Sequence, residues 1–204
     1  EQGKFYLLQT RTAKMSAAAL VKTSVDMVKE KLIDKNKALT RIPAQQLEAL
    51  LHRTMDESKI RDFKQLAKGI AASPGAASGI VVFDVKKAIE LGDAGKKVIL
   101  VRKETKPEDV PAFFSSEGIL TSLGGKSSHA AIVSRGMGKP CIVGCPELEI
   151  DYDNNIGTAN GMTIKEGETI TIDGSAGTVF IGEIPTVEPK VTKDFEQILE
   201  WAQK

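Results

Sequence analysis

One stretch organises the predicted fold, residues 118–138, with the sequence Gly118-Ile119-Leu120-Thr121-Ser122-Leu123-Gly124-Gly125-Lys126-Ser127-Ser128-His129-Ala130-Ala131-Ile132-Val133-Ser134-Arg135-Gly136-Met137-Gly138. Its apolar beginning, 118–123, predicts a buried strand, and the two glycines that follow allow a tight turn whose backbone comes close to a ligand. The next residues predict a helix with an apolar side, capped by Ser127 or Ser128 and ended by the last two glycines. A strand, a tight turn and a helix in this order predict an α/β fold, with His129 in the first helical turn.

The predicted position of His129 has chemical consequences. The first turn of a helix offers free backbone N–H groups and the positive end of the helix dipole, and it therefore favours anions, phosphate above all. The same field disfavours imidazolium, and a neutral imidazole beside a stabilised phosphoryl group can accept that group covalently. The spacing alone leaves open a second interpretation, a helix-capping histidine without chemistry.

The run from Gly124 to Cys141 resembles the phosphohistidine signature of the phosphoenolpyruvate-utilising enzymes. The resemblance implies that His129 carries the phosphoryl group, on Nε2, and that Arg135 is the family's arginine six residues further on. Ser127 stands where the family usually has threonine and keeps the hydroxyl, and we predict that it takes part in catalysis by offering this hydroxyl to the imidazole or to the bound phosphoryl group. Six residues place Arg135 off the helical face of His129, so we expect it to reach around or to grip the phosphate from the side. The phosphate-binding residues that we predict are Gly124, Gly125 and Ser128.

The resemblance extends over essentially the whole chain and favours the dikinases of this family. Residues 4–11 resemble the last strand of an ATP-grasp nucleotide-binding domain, in which Gln9 and Arg11 would face the nucleotide. Residues 24–30 and 43–52 resemble the dikinase connecting helices, and a Ser-Pro-Gly pattern at 73–75 resembles the start of the phosphohistidine domain. The predicted organisation has three parts: 1–67, the last strand and connecting helices of the nucleotide-binding region; 68–185, a swivelling β/β/α phosphohistidine domain; and 186–204, a linker helix toward a phosphoenolpyruvate-binding barrel.

Periodicity and turn signals predict the remaining elements. The mixed charges of 53–67 predict a solvated connector or short helix that holds the domain boundary and a hinge. The small residues of 71–79 predict a loop before a strand at 80–83. The other predicted elements are helices at 13–33, 34–40, 44–51, 84–94 and 194–204, a short helix from Pro107, strands at 98–101 and 140–144, and an all-β segment at 146–182.

The function implied by the resemblance is that of a carrier. A (pyro)phosphoryl group on His129 would shuttle between ATP or phosphate and pyruvate, forming phosphoenolpyruvate with the ATP-grasp and barrel domains of the same longer chain. The resemblance further implies Mg²⁺ in the full enzyme, with no metal bound by this chain, a homodimer, a cytoplasmic location, and a chain that is inactive alone. Two alternatives stay open: part of a phosphoenolpyruvate synthase, or a stand-alone phosphorelay carrier. The chain begins without methionine, and we interpret it as an excised segment.

Composition limits the other classes of function. The net charge of +1 gives no electrostatic reason to expect a nucleic-acid or membrane-surface partner. Cys141 and Cys145 lack two further nearby ligands for a metal and are interpreted as reduced structural thiols. His52 has no acid or nucleophile near it in sequence, and we predict no catalytic role for it. Arg102 and Thr105 could point toward His129 or belong to a solvated loop.

Overall fold

The computed structural model describes residues 3, 7, 9–10, 15–56, 58–189 and 191–203. The chain divides into two compact units, Glu1–Leu50 with Lys190–Lys204, and Leu51–Pro189. The α-helices are α1 (Ala17–Lys29), α2 (Lys35–Thr40), α3 (Ala44–Ala49), α4 (Val85–Asp93), α5 (Val110–Ser115), α6 (His129–Gly136) and α7 (Lys193–Ala202). Short 3-10 helices lie at Ile60–Asp62 and Pro107–Asp109. The strands are β1 (Thr54–Met55), β2 (Gln65–Lys68), β3 (Ile70–Ser73), β4 (Ala76–Val82), β5 (Val98–Arg102), β6 (Gly118–Thr121), β7 (Cys141–Val143), β8 (Glu149–Asp151), β9 (Ile156–Ala159), β10 (Met162–Lys165), β11 (Thr169–Asp173), β12 (Thr178–Ile181) and β13 (Thr186–Val187).

Among the described residues, the first unit is a cluster of four helices, α1, α2, α3 and α7. Three of them begin at side-chain caps, because Ser16 accepts a hydrogen bond from the Ala19 N–H, Asp34 from the Lys37 N–H and Thr192 from the Phe195 N–H. The C-terminal helix α7 packs against α1 in the same small core. The buried residues of that core are Val21, Val25, Ile42, Phe195 and Ile198.

The second unit is built on an eight-stranded sheet with the strand order β2-β12-β11-β4-β5-β6-β7-β3. Its centre, β4-β5-β6-β7, is parallel, and antiparallel strands flank it on both sides. Parallel strands need crossover connections, and α4, α5 and α6 supply them. The central strands are therefore covered on both faces and contain almost only buried apolar residues.

Three layers result, in agreement with the predicted β/β/α fold. Side chains on one face of the large sheet, such as Val98 and Leu100, pack with the helices in a core that also contains Phe113 and Ala130. The alternate residues, such as Ile99 and Val101, pack with the three-stranded sheet β10-β9-β8. The middle layer thus holds the carboxyl ends of β5 and β6 in fixed register, with Arg102 opposite Thr121.

Residues 53–67 differ from the sequence-based prediction. The mixed-charge connector or short helix predicted there is instead two strands with a 3-10 turn between them, and it belongs to the second unit. β1 pairs with β13, and β2 pairs with β12, so these strands receive their order from partners more than a hundred residues away. Their own sequence carries little alternation, and this is why the pattern did not reveal them. The units accordingly divide at 50/51 and 189/190, whereas the sequence placed the boundaries at 67 and 185.

The loop predicted at 71–79 is also wrong. Residues 70–73 form the edge strand β3, and β4 begins at Ala76. The small side chains serve close packing: a Cβ at Gly79 would lie 2.7 Å from the Lys97 carbonyl oxygen, on the neighbouring chain segment. Of the first helix predicted at 13–33, residues 13–14 lie outside the described residues and the rest is shorter than predicted. Ser16 is the N-cap of α1, and Lys31 adopts a positive φ of 59° just beyond its end.

The other predicted helices and strands from residue 34 onward are confirmed, whereas the strand predicted within 4–11 lies mostly outside the described residues. Asp84 caps α4 by accepting from the Lys87 N–H, and 146–182 is all β in the structure. Asn160 and Gly161 form the tight β9–β10 turn with φ values of 50° and 74°. Of the ATP-grasp residues predicted at the N-terminus, Gln9 is exposed and Arg11 lies outside the described residues.

Candidate functional site

The site lies where two neighbouring parallel strands end. The loop after β5 carries Thr105, and the loop after β6 leads into α6 and His129. Because β5 and β6 are hydrogen-bonded in parallel register, their carboxyl ends open onto the same edge of the sheet. Such an edge is where open α/β sheets hold their ligands.

His129 is the first residue of α6, as the sequence predicts. Ser128 is the N-cap, and its hydroxyl lies 3.5 Å from the Ala131 N–H. The structure thereby decides between the two capping serines. The N–H groups of His129 and Ala130 come too early in the helix to have an intrahelical acceptor, so they are free for an anion.

Thr105 fixes the imidazole from the neighbouring loop. Its Oγ1 lies 3.2 Å from His129 Nδ1. The Phe113 ring approaches the imidazole edge to face, with 6.2 Å between the ring centroids and 63° between the planes. Nδ1 is therefore engaged, whereas Nε2 has no hydrogen-bond partner among the described residues.

A cavity of about 130 Å³ adjoins His129. Its size suits a phosphoryl-sized group, but its lining includes neither lysine nor arginine. The charged side chain that lines it is the carboxylate of Glu104. The cavity lining therefore offers an anion backbone N–H groups and hydroxyls, and any cation has to come from elsewhere.

The turn between β6 and α6 is held by close backbone approach. Gly124 has a φ of 106°, a backbone conformation that residues other than glycine rarely adopt. Its carbonyl oxygen lies 2.4 Å from where a Cβ of Gly144 would be, so the segment after β7 has to carry glycine there. Gly125 is only partly exposed and accepts a hydrogen bond from the Ser128 N–H. These contacts shape the turn predicted to bind phosphate.

Arg135 is bound to backbone carbonyls. Its Nε and Nη2 both donate to the Ala72 carbonyl oxygen, at 3.1 and 2.9 Å, and Nη2 also donates to the Lys126 carbonyl oxygen at 3.2 Å. One guanidinium thus connects α6, the preceding loop and the edge strand β3. The sequence left open whether this side chain reaches around the helix or grips a phosphate from the side. The structure shows it hydrogen-bonded to backbone carbonyls, and the contact with a phosphate stays a prediction.

Of the other candidate site residues, Thr105 contacts the imidazole, whereas Ser127 and Arg102 do not. Ser127 is exposed, and its hydroxyl makes no hydrogen bond to a described residue. Of the two open candidates after β5, Thr105 contacts the imidazole, whereas Arg102 donates to the Phe83 carbonyl oxygen and lies over the Tyr152 ring. Tyr152 was not singled out from the sequence, because its contact with this loop spans about fifty residues and no local pattern signals it.

The two thiols are buried and unpaired, as expected of structural cysteines. Burial raises the pKa of Cys141 to about 11 and that of Cys145 to about 12. At neutral pH both are thiols rather than thiolates, so neither is prepared to act as a nucleophile.

The side chains of the described residues that could in principle bind a metal ion lie apart from one another. No group of three or more His, Cys, Asp or Glu side chains there could hold a metal ion. The donor set of the described residues does not fit Mg²⁺. No helix in the described part of the chain has the length and hydropathy needed to cross a membrane.

Comparisons with known proteins agree with the predicted family. Residues 94–177, which include His129, match the family described as PEP-utilising enzyme, mobile domain. The chain is 50% identical over 205 residues to the pyruvate, phosphate dikinase of Entamoeba histolytica, and this alignment covers all of the chain and 23% of that protein. The corresponding dikinase of Rhizobium meliloti is 46% identical over 99% of the chain and 22% of its own length.

A third relative, the pyruvate, phosphate dikinase of Clostridium symbiosum, is 42% identical over the whole chain and 23% of its own length. The chain therefore spans less than a quarter of the length of each of these three curated relatives. A solved structure, the NMR solution structure of Enzyme I, covers 56% of this chain and 40% of its own chain at 23% identity. Its TM-score of 0.34 is too low to establish a shared fold.

Proposed function

Because this chain belongs to the PEP-utilising enzyme family and corresponds to a segment of the pyruvate, phosphate dikinases, we propose that it carries a phosphoryl group on His129. One observation carries the proposal most strongly. Thr105 occupies Nδ1 and leaves Nε2 free, at the N-terminus of a capped helix and beside a cavity of phosphoryl size.

The transfer step follows from this geometry. When Nδ1 carries the ring proton it donates to Thr105 Oγ1, and the Nε2 lone pair is free to attack phosphorus. The Nε2–P bond forms while a P–O bond of the donor breaks, and the electron pair of that bond stays on the leaving oxygen. With phosphoenolpyruvate as donor, the leaving group is the enolate of pyruvate. The ring becomes positively charged, and Thr105 Oγ1 stabilises it by accepting from Nδ1–H.

The lining of the cavity supports transfer at a partner site. A phosphoryl group on His129 would bring about two negative charges close to the Glu104 carboxylate. Because no lysine or arginine lines the cavity, the cation that balances these charges has to come from a partner. Leu123, in the cavity wall, is 56% exposed, and Ile132, on the same helical face as His129, is 57% exposed. Exposed apolar side chains around a reactive group suit docking against another protein surface. The partners we propose are the ATP-grasp and barrel domains of a longer dikinase chain.

The proposed whole reaction interconverts ATP, phosphate and pyruvate with AMP, pyrophosphate and phosphoenolpyruvate. His129 would take a pyrophosphoryl group from ATP, lose the outer phosphoryl to phosphate, and give the remaining one to pyruvate. Mg²⁺, the cytoplasmic location and a homodimer belong to the same proposal about the longer protein. No observation favours the phosphoenolpyruvate synthase or the stand-alone carrier, since the three curated relatives are dikinases.

A chimeric enzyme tests the proposal. The aligned segment of the Entamoeba histolytica dikinase is replaced by this chain, and the product is incubated with phosphoenolpyruvate. Intact mass should show one added phosphoryl group, which is lost in acid and stable in alkali, as expected of a phosphorus–nitrogen bond. Exchange of label between pyruvate and phosphoenolpyruvate should accompany it.

The chain contains two histidines, and this provides a matched control. His129→Ala should abolish both the mass increase and the exchange, because the nucleophile is gone. His52→Ala should leave both unchanged. Exchange that persists in the His129→Ala chimera would show that the group is not carried on this residue.

A further inference from the structure

The loop that brings Thr105 to His129 is held at both of its ends. At its far end, the Lys106 N–H donates to Asp109 Oδ2 at 2.9 Å. At its near end, the Lys103 carbonyl oxygen accepts from the Leu123 N–H at 2.8 Å, which connects this loop to the one before α6. Between the two ends lie only Glu104 and Thr105, so the position of the Thr105 hydroxyl depends on how firmly Lys103 and Lys106 are fixed.

Tyr152 is the side chain that fixes the near end. It follows β8 in the three-stranded sheet, and its hydroxyl oxygen accepts a hydrogen bond from the Lys103 N–H at 2.9 Å. Its ring also packs under two cations, with the Arg102 guanidinium carbon 5.1 Å and the Lys103 ammonium nitrogen 5.9 Å from the ring centroid. The same Arg102 donates to the Phe83 carbonyl oxygen at 2.9 Å.

The location of Tyr152 is unusual for a residue with only a packing role. It remains 38% exposed, and its hydroxyl contacts a loop backbone rather than the sheet that carries it. The backbone amide that it holds is two residues before Thr105. Neither Tyr152 nor a residue of the small sheet lines the cavity. Tyr152 therefore reaches the site indirectly, through its hydrogen bond with the Lys103 N–H.

We propose that Tyr152 is a positioning residue for phosphoryl transfer, which acts through Lys103 to place the Thr105 hydroxyl on His129 Nδ1. The inference rests on the proposed function of His129. Tyr152 does not touch the imidazole or the phosphoryl group. Its effect is to keep the ring in the tautomer with the proton on Nδ1 and the lone pair on Nε2.

The first test is spectroscopic and uses the chain without phosphate. The ¹⁵N shifts of the His129 ring nitrogens report the tautomer, and His52 in the same spectrum serves as an internal reference. Tyr152→Phe removes only the hydroxyl and keeps the ring under Arg102. It should shift the His129 tautomer populations in the same direction as Thr105→Val does, while the His52 signals stay unchanged.

The second test is a double-mutant cycle in the chimeric dikinase. Tyr152→Phe should slow single-turnover transfer from phosphoenolpyruvate about 3- to 10-fold, the range expected when one hydrogen bond is lost. Thr105→Val should slow it at least as much. Because both residues act on the same hydrogen bond, the double variant should be no slower than Thr105→Val alone.

Ser175→Ala is the matched control. The Ser175 hydroxyl also accepts from a distant backbone N–H, that of Gly75 at 3.0 Å, at the edge where β4 begins. It should change neither the His129 spectrum nor the transfer rate. Unaltered His129 shifts in Tyr152→Phe, or effects of Tyr152→Phe and Thr105→Val that multiply, would overturn the proposal. That outcome differs from failure of the carrier function, in which His129→Ala would still be phosphorylated.

Discussion

At the scale of single residues, Arg135 binds backbone carbonyl groups near His129. The Arg135 guanidinium donates to the carbonyl oxygens of Ala72 and Lys126, so it fastens α6 to β3 and to the loop that precedes it. A planar fork can serve two acceptors at fixed angles, and a lysine ammonium or a glutamine amide cannot reproduce that arrangement. The geometry of this side chain should therefore matter more than its charge.

We predict that Arg135→Lys and Arg135→Gln slow phosphoryl transfer in the chimeric dikinase by similar factors, about 3- to 10-fold. Amide hydrogens of 124–128 should exchange faster in both variants, because the loop loses its clamp. Lys126→Gln is the control, since it removes a charge from the same loop and keeps the bonded carbonyl. A lysine variant with full activity beside an inactive glutamine variant would instead assign the cation to the phosphoryl group.

The sequence predicted the position of His129 because every signal for it is local. The glycine turn, the capping serine and the helix all lie within the segment Gly124–Gly136. For Thr105, the sequence left open whether it points toward His129 or belongs to a solvated loop, since its contact with the imidazole depends on the pairing of β5 with β6. The carbonyl partners of Arg135 were beyond prediction for the same reason, because Ala72 is brought to α6 by an edge strand that the sequence did not reveal.

At the scale of elements, two helical glycines occupy opposite environments. Gly92 lies in the last turn of α4, where a Cβ would be 1.9 Å from the Ser115 carbonyl oxygen of α5. Gly136 ends α6, and a Cβ there would meet nothing within 4 Å. The first glycine permits the close approach of α4 to the helix that brings Phe113 to the imidazole. The second has no such role.

We predict opposite effects on the free energy of unfolding for the same substitution at these two positions. Gly92→Ala should lower it by about 1–3 kcal/mol, because the added methyl group collides with backbone that has to move. Gly136→Ala should raise it by about 0.5 kcal/mol, since alanine loses less backbone entropy in a helix. Urea denaturation of both variants beside the unchanged protein measures the difference. Equal effects of the two substitutions would contradict the close α4–α5 approach.

Elements with strong local signals were predicted well, and elements defined by distant partners were not. The helices predicted at 34–40 and 84–94 are confirmed and begin at the caps Asp34 and Asp84, and the segment predicted to be all β turns at Asn160-Gly161. β1 and β2 are two and four residues long, and they exist because β13 and β12 offer backbone partners. A short edge strand with mixed charges has no periodicity of its own from which to predict it.

At the scale of the whole molecule, β1 and β2 determine where the second unit begins. β2 contributes Leu66 and Ala67, both completely buried, to the core between the two sheets. β1 and β13 pair where the chain enters and leaves the second unit, and Arg53 forms an ion pair with Glu188 beside them. The unit 51–189 therefore contains all of its own core, whereas the segment 68–185 predicted from sequence lacks one edge of it.

The last prediction compares two truncated proteins. Residues 51–189 should unfold in a single cooperative transition, because every strand of the eight-stranded sheet is present. Residues 68–185 should be less stable by more than about 3 kcal/mol, since the loss of Leu66 alone opens a cavity of that order of cost and β12 is left as an unpaired edge. Urea denaturation followed by circular dichroism compares the two, and Leu66→Ala in 51–189 separates the loss of core from the loss of strand pairing. If 68–185 proved as stable as 51–189, the boundary would return to residue 67, and β2 would be an addition to a sheet that is complete without it.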